Sequence, residues 1–306
     1  RLGLPLLFGI YVWVMPQAYY QVRQSGEFMG SIVAFYPDYI ALEQAFSTIT
    51  PTWNHLWYLA YILVYILIAL ASLPWLRTIP ESRGWQSLTK RPLAVVFLLI
   101  FPLVVNDTWF FPMYPTTHEL INDWAHHVER LMIFLLGFFA AKDARFWQSV
   151  DKVWKFVPML AVTAWLLLRN GHNIADLARQ FMSDAQVRFL VNYIANIYAW
   201  SCILSLLGFG QRFLNRESPL LRYLTGAIFC YYVLHQTITV VAGYYLTEYQ
   251  LGVAVESALL LAITVAGCVL GYELIRRIPN VGILFGVHNV SGFRPGAYHH
   301  ANGRQV

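Results

Sequence analysis

The run "YYVLHQTITVV", Tyr231 to Val241, sets His235 and Gln236 in an otherwise apolar stretch. An imidazole takes up or releases a proton near neutral pH, and a glutamine both donates and accepts hydrogen bonds. An ionisable group inside an apolar span is costly and by default marks a functional site, so acid–base chemistry or substrate orientation is one reading of His235. The other is a histidine satisfied by one hydrogen bond to a neighbouring helix. The residues alone leave both open. A second group gathers toward the outer ends of the apolar runs: Asn54, His55 and Trp57; Asn106 and Asp107; His126, His127, Glu129 and Arg130. This outward-facing polar cluster stands apart from His235, which sits at mid-depth. His55 and Trp57 also suit an interfacial aromatic belt. Glu129 and Arg130 suit charge neutralisation between neighbouring helices. Adjacent His126 and His127 point about 100° apart on a helix and have no partner at i+4, so no metal site is expected. Glu256 and Glu273 lie near run ends, where headgroups are within reach, and carry little information.

Those residues must be positioned by membrane helices. Hydrophobic residues make up 58% of the 306 and charged residues 12%, against roughly 45–50% and about 25% in a soluble domain. Crossing a bilayer takes about 20 apolar residues as helix. Eight such spans are expected: Leu2 to Tyr20, His55 to Leu76, Pro92 to Phe111, Trp124 to Ala141, Val153 to Leu168, Phe189 to Gly210, Thr225 to Leu246 and Val255 to Ile275. The fold class is therefore all-α, a polytopic transmembrane bundle forming a single domain over residues 1–306. No linker or internal repeat interrupts it. The longest connection, Gln21 to Asn54, mixes Gly, Pro, Ser and aromatic residues like a folded surface loop.

Basic residues accumulate on the cytoplasmic side. With both ends inside, all but Arg23, Arg130, Arg169, Arg179 and Arg188 of the 21 lysines and arginines fall there, and residues 279–306 form a cytoplasmic tail. The net charge of +5 follows from this asymmetry and gives no reason to expect nucleic-acid binding. Cys202, Cys230 and Cys268 lie within spans, so neither a disulfide framework nor a thiolate metal site is expected. Nucleotide-binding glycine loops and Gly-x-Ser-x-Gly elbows are absent from the sequence. The chain begins with Arg, with no signal-peptide layout, which suggests a missing beginning.

Several segments, in order, resemble the bacterial integral-membrane acyltransferase family 3: "RLGLPLLFGIYVWVMPQAYY" followed by "GSIVAFYPDY", "NHLWYLAYILVYILIAL", "ERLMIFLLGFFAAKDARFW", "LGFGQRFLNRESPLLRYLTGAIFCYYVLHQTITVVAGYYL" and "YELIRRIPNVGILFGVH". They cover nearly the whole chain. The family's members have about ten spans, so the resemblance implies that two helices precede residue 1. Arg1 would match the second arginine of the Arg-x-x-Arg pair that opens the third helix. The histidine taken as catalytic base would lie before residue 1, and a chain starting at Arg1 is expected to be inactive by itself.

The implied reaction moves an acyl group, acetyl or succinyl, from cytoplasmic acyl-CoA to a hydroxyl of an extracytoplasmic carbohydrate in the bacterial inner membrane. Acyl-CoA is a donor substrate, and no bound cofactor is implied. Arg1, with Arg83, Lys90 and Arg91 as weaker candidates, would meet the donor phosphates. His235 and Gln236 would line the buried passage, with His55 and Trp57 at its outer mouth. Trp57, Asp107 and Glu129 are the candidates for contacting the acceptor. A transporter or flippase for a lipid-linked sugar is the main rival, and a sensor or scaffold without turnover is a weaker one.

Overall fold

The computed structural model describes residues 2–41, 45–117, 119–278 and 280–287. Among them every regular element is helical, as a bilayer requires of a chain that must satisfy its own backbone. In chain order the helices are α1 (Gly3–Phe8), α2 (Met15–Gln24), α3 (Ile32–Ile40), α4 (Trp57–Ala71), α5 (Leu73–Leu76), α6 (Arg83–Thr89), α7 (Pro92–Phe97), α8 (Phe101–Val105) and α9 (Trp124–Ala140). After them come α10 (Ala144–Val153), α11 (Val157–Arg169), α12 (Gly171–Ala178), α13 (Asp184–Phe209), α14 (Pro219–Thr247), α15 (Val253–Ile275) and α16 (Val281–Leu284). Serine caps start several of them. Ser31, Ser82 and Ser218 accept from the backbone N–H groups of Ala34, Trp85 and Leu221, and Ser183 forms a capping box with Gln186.

Five segments are long and apolar enough to cross a membrane: Asn54–Ala71, Pro92–Phe110, Asp184–Leu214, Pro219–Thr247 and Val253–Ile275. They answer the second, third, sixth, seventh and eighth expected spans. The fifth corresponds to the shorter apolar helix Val157–Arg169. The fourth is α9, 17 residues long, with His126, His127, Glu129 and Arg130 in its first turns. The first is broken, for a reason that bears on the site.

The chain divides into two compact units, Arg1–Ala60 with Ser218–Val306, and Tyr61–Glu217. In the first, α14 packs along α15 and across α2, and α1 packs on α16. Its core joins Val14, Leu56 and Leu59 to Ala227, Cys230, Val233, Leu234 and Cys268. The expected surface loop does fold, since α3 brings Phe35 and Tyr39 against Ala18, Tyr19 and Val22 of α2. In the second unit α11 packs along α13, and Val95, Val96, Ile100, Val150, Val157, Trp200 and Leu204 form the core. At Gly208 a Cβ would stand 2.7 Å from Cβ of Trp154, so only glycine allows this approach.

Each unit contains a helix broken before proline. A proline has no N–H to give and clashes with the preceding turn, so carbonyls near the break lose their helical partners. Ahead of Pro16 the chain widens into a π turn over Gly9–Trp13, closed by Val14 N–H to the Gly9 carbonyl at 2.8 Å. The Gln17 N–H turns to the Val14 carbonyl at 2.9 Å, and the Trp13 carbonyl instead receives the Thr237 hydroxyl at 2.9 Å. Between α7 and α8, ahead of Pro102, the Phe97 and Val95 carbonyls receive the Tyr193 hydroxyl at 3.0 Å and the Trp200 indole N–H at 2.8 Å. A broken helix thus exchanges local bonds for interhelical ones, the arrangement by which membrane proteins tolerate proline.

Candidate functional site

The Thr237–Trp13 bond is one end of a polar chain inside the first unit. Gln17, fully buried on α2, donates through Nε2 to Thr237 Oγ1 at 2.6 Å and to His55 Nδ1 at 3.5 Å. Its Oε1 accepts from Asn54 Nδ2 at 2.7 Å, and Asn54 Oδ1 accepts from Gln236 Nε2 at 3.4 Å. The amides therefore point one way, from Gln236 through Asn54 and Gln17 to Thr237 and the Trp13 carbonyl. Asn54 holds its place with φ at +42°, in the left-handed region that asparagine tolerates, and starts the 3-10 turn Asn54–Leu56 leading into α4.

The two histidines meet at this chain, their rings 5.2 Å apart and edge to face at 82°. Their hydrogen bonds fix which nitrogen carries the proton, because a carbonyl can only accept. His55 Nε2 donates to the Val233 carbonyl at 3.2 Å, leaving Nδ1 to receive the Gln17 amide. His235 Nδ1 donates to the Tyr232 carbonyl at 2.7 Å. In the neutral ring, Nε2 of His235 keeps its lone pair, and it has no hydrogen-bond partner among the described residues. The side chain is half-buried. Tyr232 completes the frame, donating its hydroxyl to the His55 carbonyl and packing its ring 5.9 Å from that of His235. The site can thus present one oriented basic nitrogen beside a fixed amide network.

His55 and His235 are consequently neighbours, where the sequence reading puts them at different depths. The 3-10 turn brings the entrance of α4 against the middle of α14.

The second unit holds the other polar group. Tyr61 donates to Asp123 Oδ2 at 2.8 Å, and Asp123, with no exposed surface, also accepts from the Thr117 N–H at 3.1 Å. His127 stacks on Tyr61 at 4.6 Å, donates through Nε2 to the Leu120 carbonyl at 2.6 Å, and receives the Tyr65 hydroxyl on Nδ1 at 3.1 Å. Arg130 Nε donates to His126 Nε2 at 3.2 Å, and Glu129 lies 3.7 Å from His126 and 3.9 Å from Arg130. Within α9, His126 thus meets Glu129 at i+3 and Arg130 at i+4, neighbours on one helix face. Asp107, in the π turn Asn106–Phe110, accepts from Asn196 of α13 at 2.7 Å. No group of three or more metal-ligating side chains occurs among the described residues.

Of the remaining candidates, Trp57 opens α4, its ring 6.1 Å from Tyr58. Arg83 and Arg91 are exposed, at the starts of α6 and α7. Arg1 lies outside the described residues. Sequence reasoning missed Gln17, Thr237, Tyr61, Tyr65 and Asp123. The one available signal was Pro16: a proline within an apolar run announces freed carbonyls, and Gln17 follows it directly.

Replacing Gln17 with leucine keeps a side chain of similar size and removes three hydrogen bonds. Membrane-buried side-chain hydrogen bonds average about 0.6 kcal/mol, so a loss of about 2 kcal/mol is expected. Thermal unfolding in detergent, compared with an exposed Gln21→Leu control, checks it. A stability equal to the parent's would mean that the amide chain does not hold α2 to α14.

The family model described as "Acyltransferase domain", acyltransferase family 3, matches residues 1–273. Comparison with curated proteins and with solved structures finds no match.

Proposed function

The chain belongs to acyltransferase family 3 and is a membrane acyltransferase, and on that premise we propose that it transfers acetyl or succinyl from acyl-CoA to a hydroxyl of an extracytoplasmic carbohydrate. The setting is the bacterial inner membrane, with the donor approaching from the cytoplasm and both ends of the chain on that side. In the reaction the hydroxyl oxygen attacks the thioester carbonyl, the C–S bond breaks, and the hydroxyl proton passes by way of a base to the departing thiolate. An alcohol attacks poorly until a base draws on its proton.

The observation that carries the reading is the free Nε2 of His235, held in aim by the bond from Nδ1 to the Tyr232 carbonyl. Nε2 accepts the hydrogen bond of the acceptor hydroxyl and orients its oxygen toward the thioester. Gln17, Asn54 and Gln236 are positioning residues, fixing α2, the α4 entrance and α14 around that point. Trp57, at the start of α4, has the aromatic surface that suits the apolar face of a sugar ring.

The test is transfer of label from radiolabelled acetyl-CoA and succinyl-CoA to a cell-envelope glycan fraction by membranes containing the full-length protein. Label on glycan, absent from membranes lacking the protein, is expected. Gradient-driven uptake of a lipid-linked sugar with no label on glycan would overturn the reading in favour of transport.

A further inference from the structure

In the second unit a cleft of about 470 Å³ opens between α5, the end of α9 and the start of α10. Arg77, Lys142 and Arg145 line it, together with Pro80, Phe138 and Phe139. The only carboxylate in its wall, Asp143, is already engaged. Its Oδ1 accepts from the Arg145 backbone N–H and Nε, both at 2.9 Å, and its Oδ2 accepts from Arg145 Nη2 at 3.1 Å and Trp85 Nε1 at 2.6 Å. A further bond from Arg145 Nη2 to the Pro80 carbonyl at 2.9 Å fixes the guanidinium across the cleft. Nη1 of Arg145 is left without a hydrogen bond among the described residues, and the exposed Arg77 and Lys142 have neither an ion pair nor a side-chain hydrogen bond there. The basic-residue asymmetry accounts for cations on this side of the membrane. It does not account for their convergence on one concavity, with one guanidinium held rigid.

We infer that this cleft binds a phosphate-bearing group. Arginine held in a fixed plane and flexible lysine are complementary phosphate ligands, the first by directed N–H donors and the second as a point charge. Phe138, 42% exposed, supplies an apolar wall beside the charges, which suits a phosphate attached to an acyl chain or to a nucleoside. Two sources carry that chemistry at a cytoplasmic membrane surface: an anionic phospholipid headgroup and the nucleotide end of a coenzyme A thioester. The binding reading stands apart from the transfer reading, because it is measured without turnover.

Two probes separate the sources. Coenzyme A is titrated into the full-length protein in nanodiscs of phosphatidylcholine, with inorganic pyrophosphate as competitor. Retention of phosphatidylglycerol through delipidation is followed by native mass spectrometry. The variant R77Q/K142Q removes two exposed charges, while R216Q alters an exposed charge elsewhere in the same unit. The expected result is that R77Q/K142Q weakens one of the two interactions by roughly tenfold or more, and that R216Q leaves it within twofold. Weakened coenzyme A binding assigns the cleft to the nucleotide, and weakened retention assigns it to the headgroup. Failure of the parent to bind either probe, or binding that R77Q/K142Q leaves within twofold, overturns the inference. Melting temperatures of the variants near the parent's establish that the fold is intact.

Discussion

His235→Ala should reduce acyl transfer by about 100-fold while leaving the protein folded, the lower end of what a positioned proton-accepting group contributes. The two effects separate because of how the ring is held. Its Nδ1 bond runs to the Tyr232 carbonyl within the continuous helix α14, three residues back. That carbonyl lies inside the helix and keeps its backbone partner when the imidazole is removed. The lost packing against His55 and Tyr232 should cost about 1 kcal/mol. His55→Ala is the informative comparison. It breaks the bonds to Val233 and Gln17 that tie α4 to α14 and α2, so stability and activity should fall together. Initial rates with a glycan acceptor and melting curves on the same samples separate the cases. Less than a fivefold loss in His235→Ala would reduce the residue to packing.

The largest stability effect is expected from Asp143→Ala, about 3 kcal/mol. The carboxylate is buried, caps α10, pairs with Arg145, and ties α10 to α6 through the Trp85 indole. Its removal leaves a guanidinium and an indole N–H without their partner, and breaking a buried pair costs about 3–5 kcal/mol with roughly 1 more for a lost cap. The figure is set at the low end because Arg145 is partly exposed. Burial alone would push the Asp143 carboxyl up, but the Arg145 and Trp85 bonds outweigh it and hold the group below the ordinary carboxylate range. Its contribution is therefore complete above about pH 4, the unfolded aspartate value. As pH falls through the lower folded value the contribution is lost. The stability gap between parent and Asp143→Ala should thus be constant near neutrality and shrink below about pH 4. A gap that widens on acidification would contradict the assignment.

The helices that apolar run length alone defines were legible. α13, α14 and α15 each carry enough apolar residues in sequence to span, and their bounds differ from expectation by a few residues. The site was legible only in part, because hydrogen-bond partners are set by packing. Gln17 falls inside the expected span Leu2 to Tyr20, where the sequence does not show its partners, yet it is the most connected side chain of the first unit's polar chain. Thr237 reads as a small helix residue, and the carbonyl that it serves becomes free only because Pro16 disrupts a different helix. Depth misled as well. His55 stands at the start of an apolar run, but the turn before α4 is folded inward against α14. The contacts of His126 with Glu129 and Arg130 were open to the spacing, since i+3 and i+4 neighbours share a helix face.

The wide turn at Gly9–Trp13 has a consequence for how this segment tolerates insertion and deletion. A π turn holds one residue more than the α turn it replaces. Deleting a single residue there would let α1 and α2 close into a more regular helix, while rotating all that follows by about 100° relative to what precedes. Val14 and Ala18 would leave their cores, and Gln17 would turn away from Asn54 and Thr237 with no change in its identity. Length between Gly3 and Gln17 is therefore a constrained quantity in its own right. In a comparison of sequences, a one-residue gap here would separate chains that keep the Gln17 linkage from chains that do not, even where every polar residue is retained.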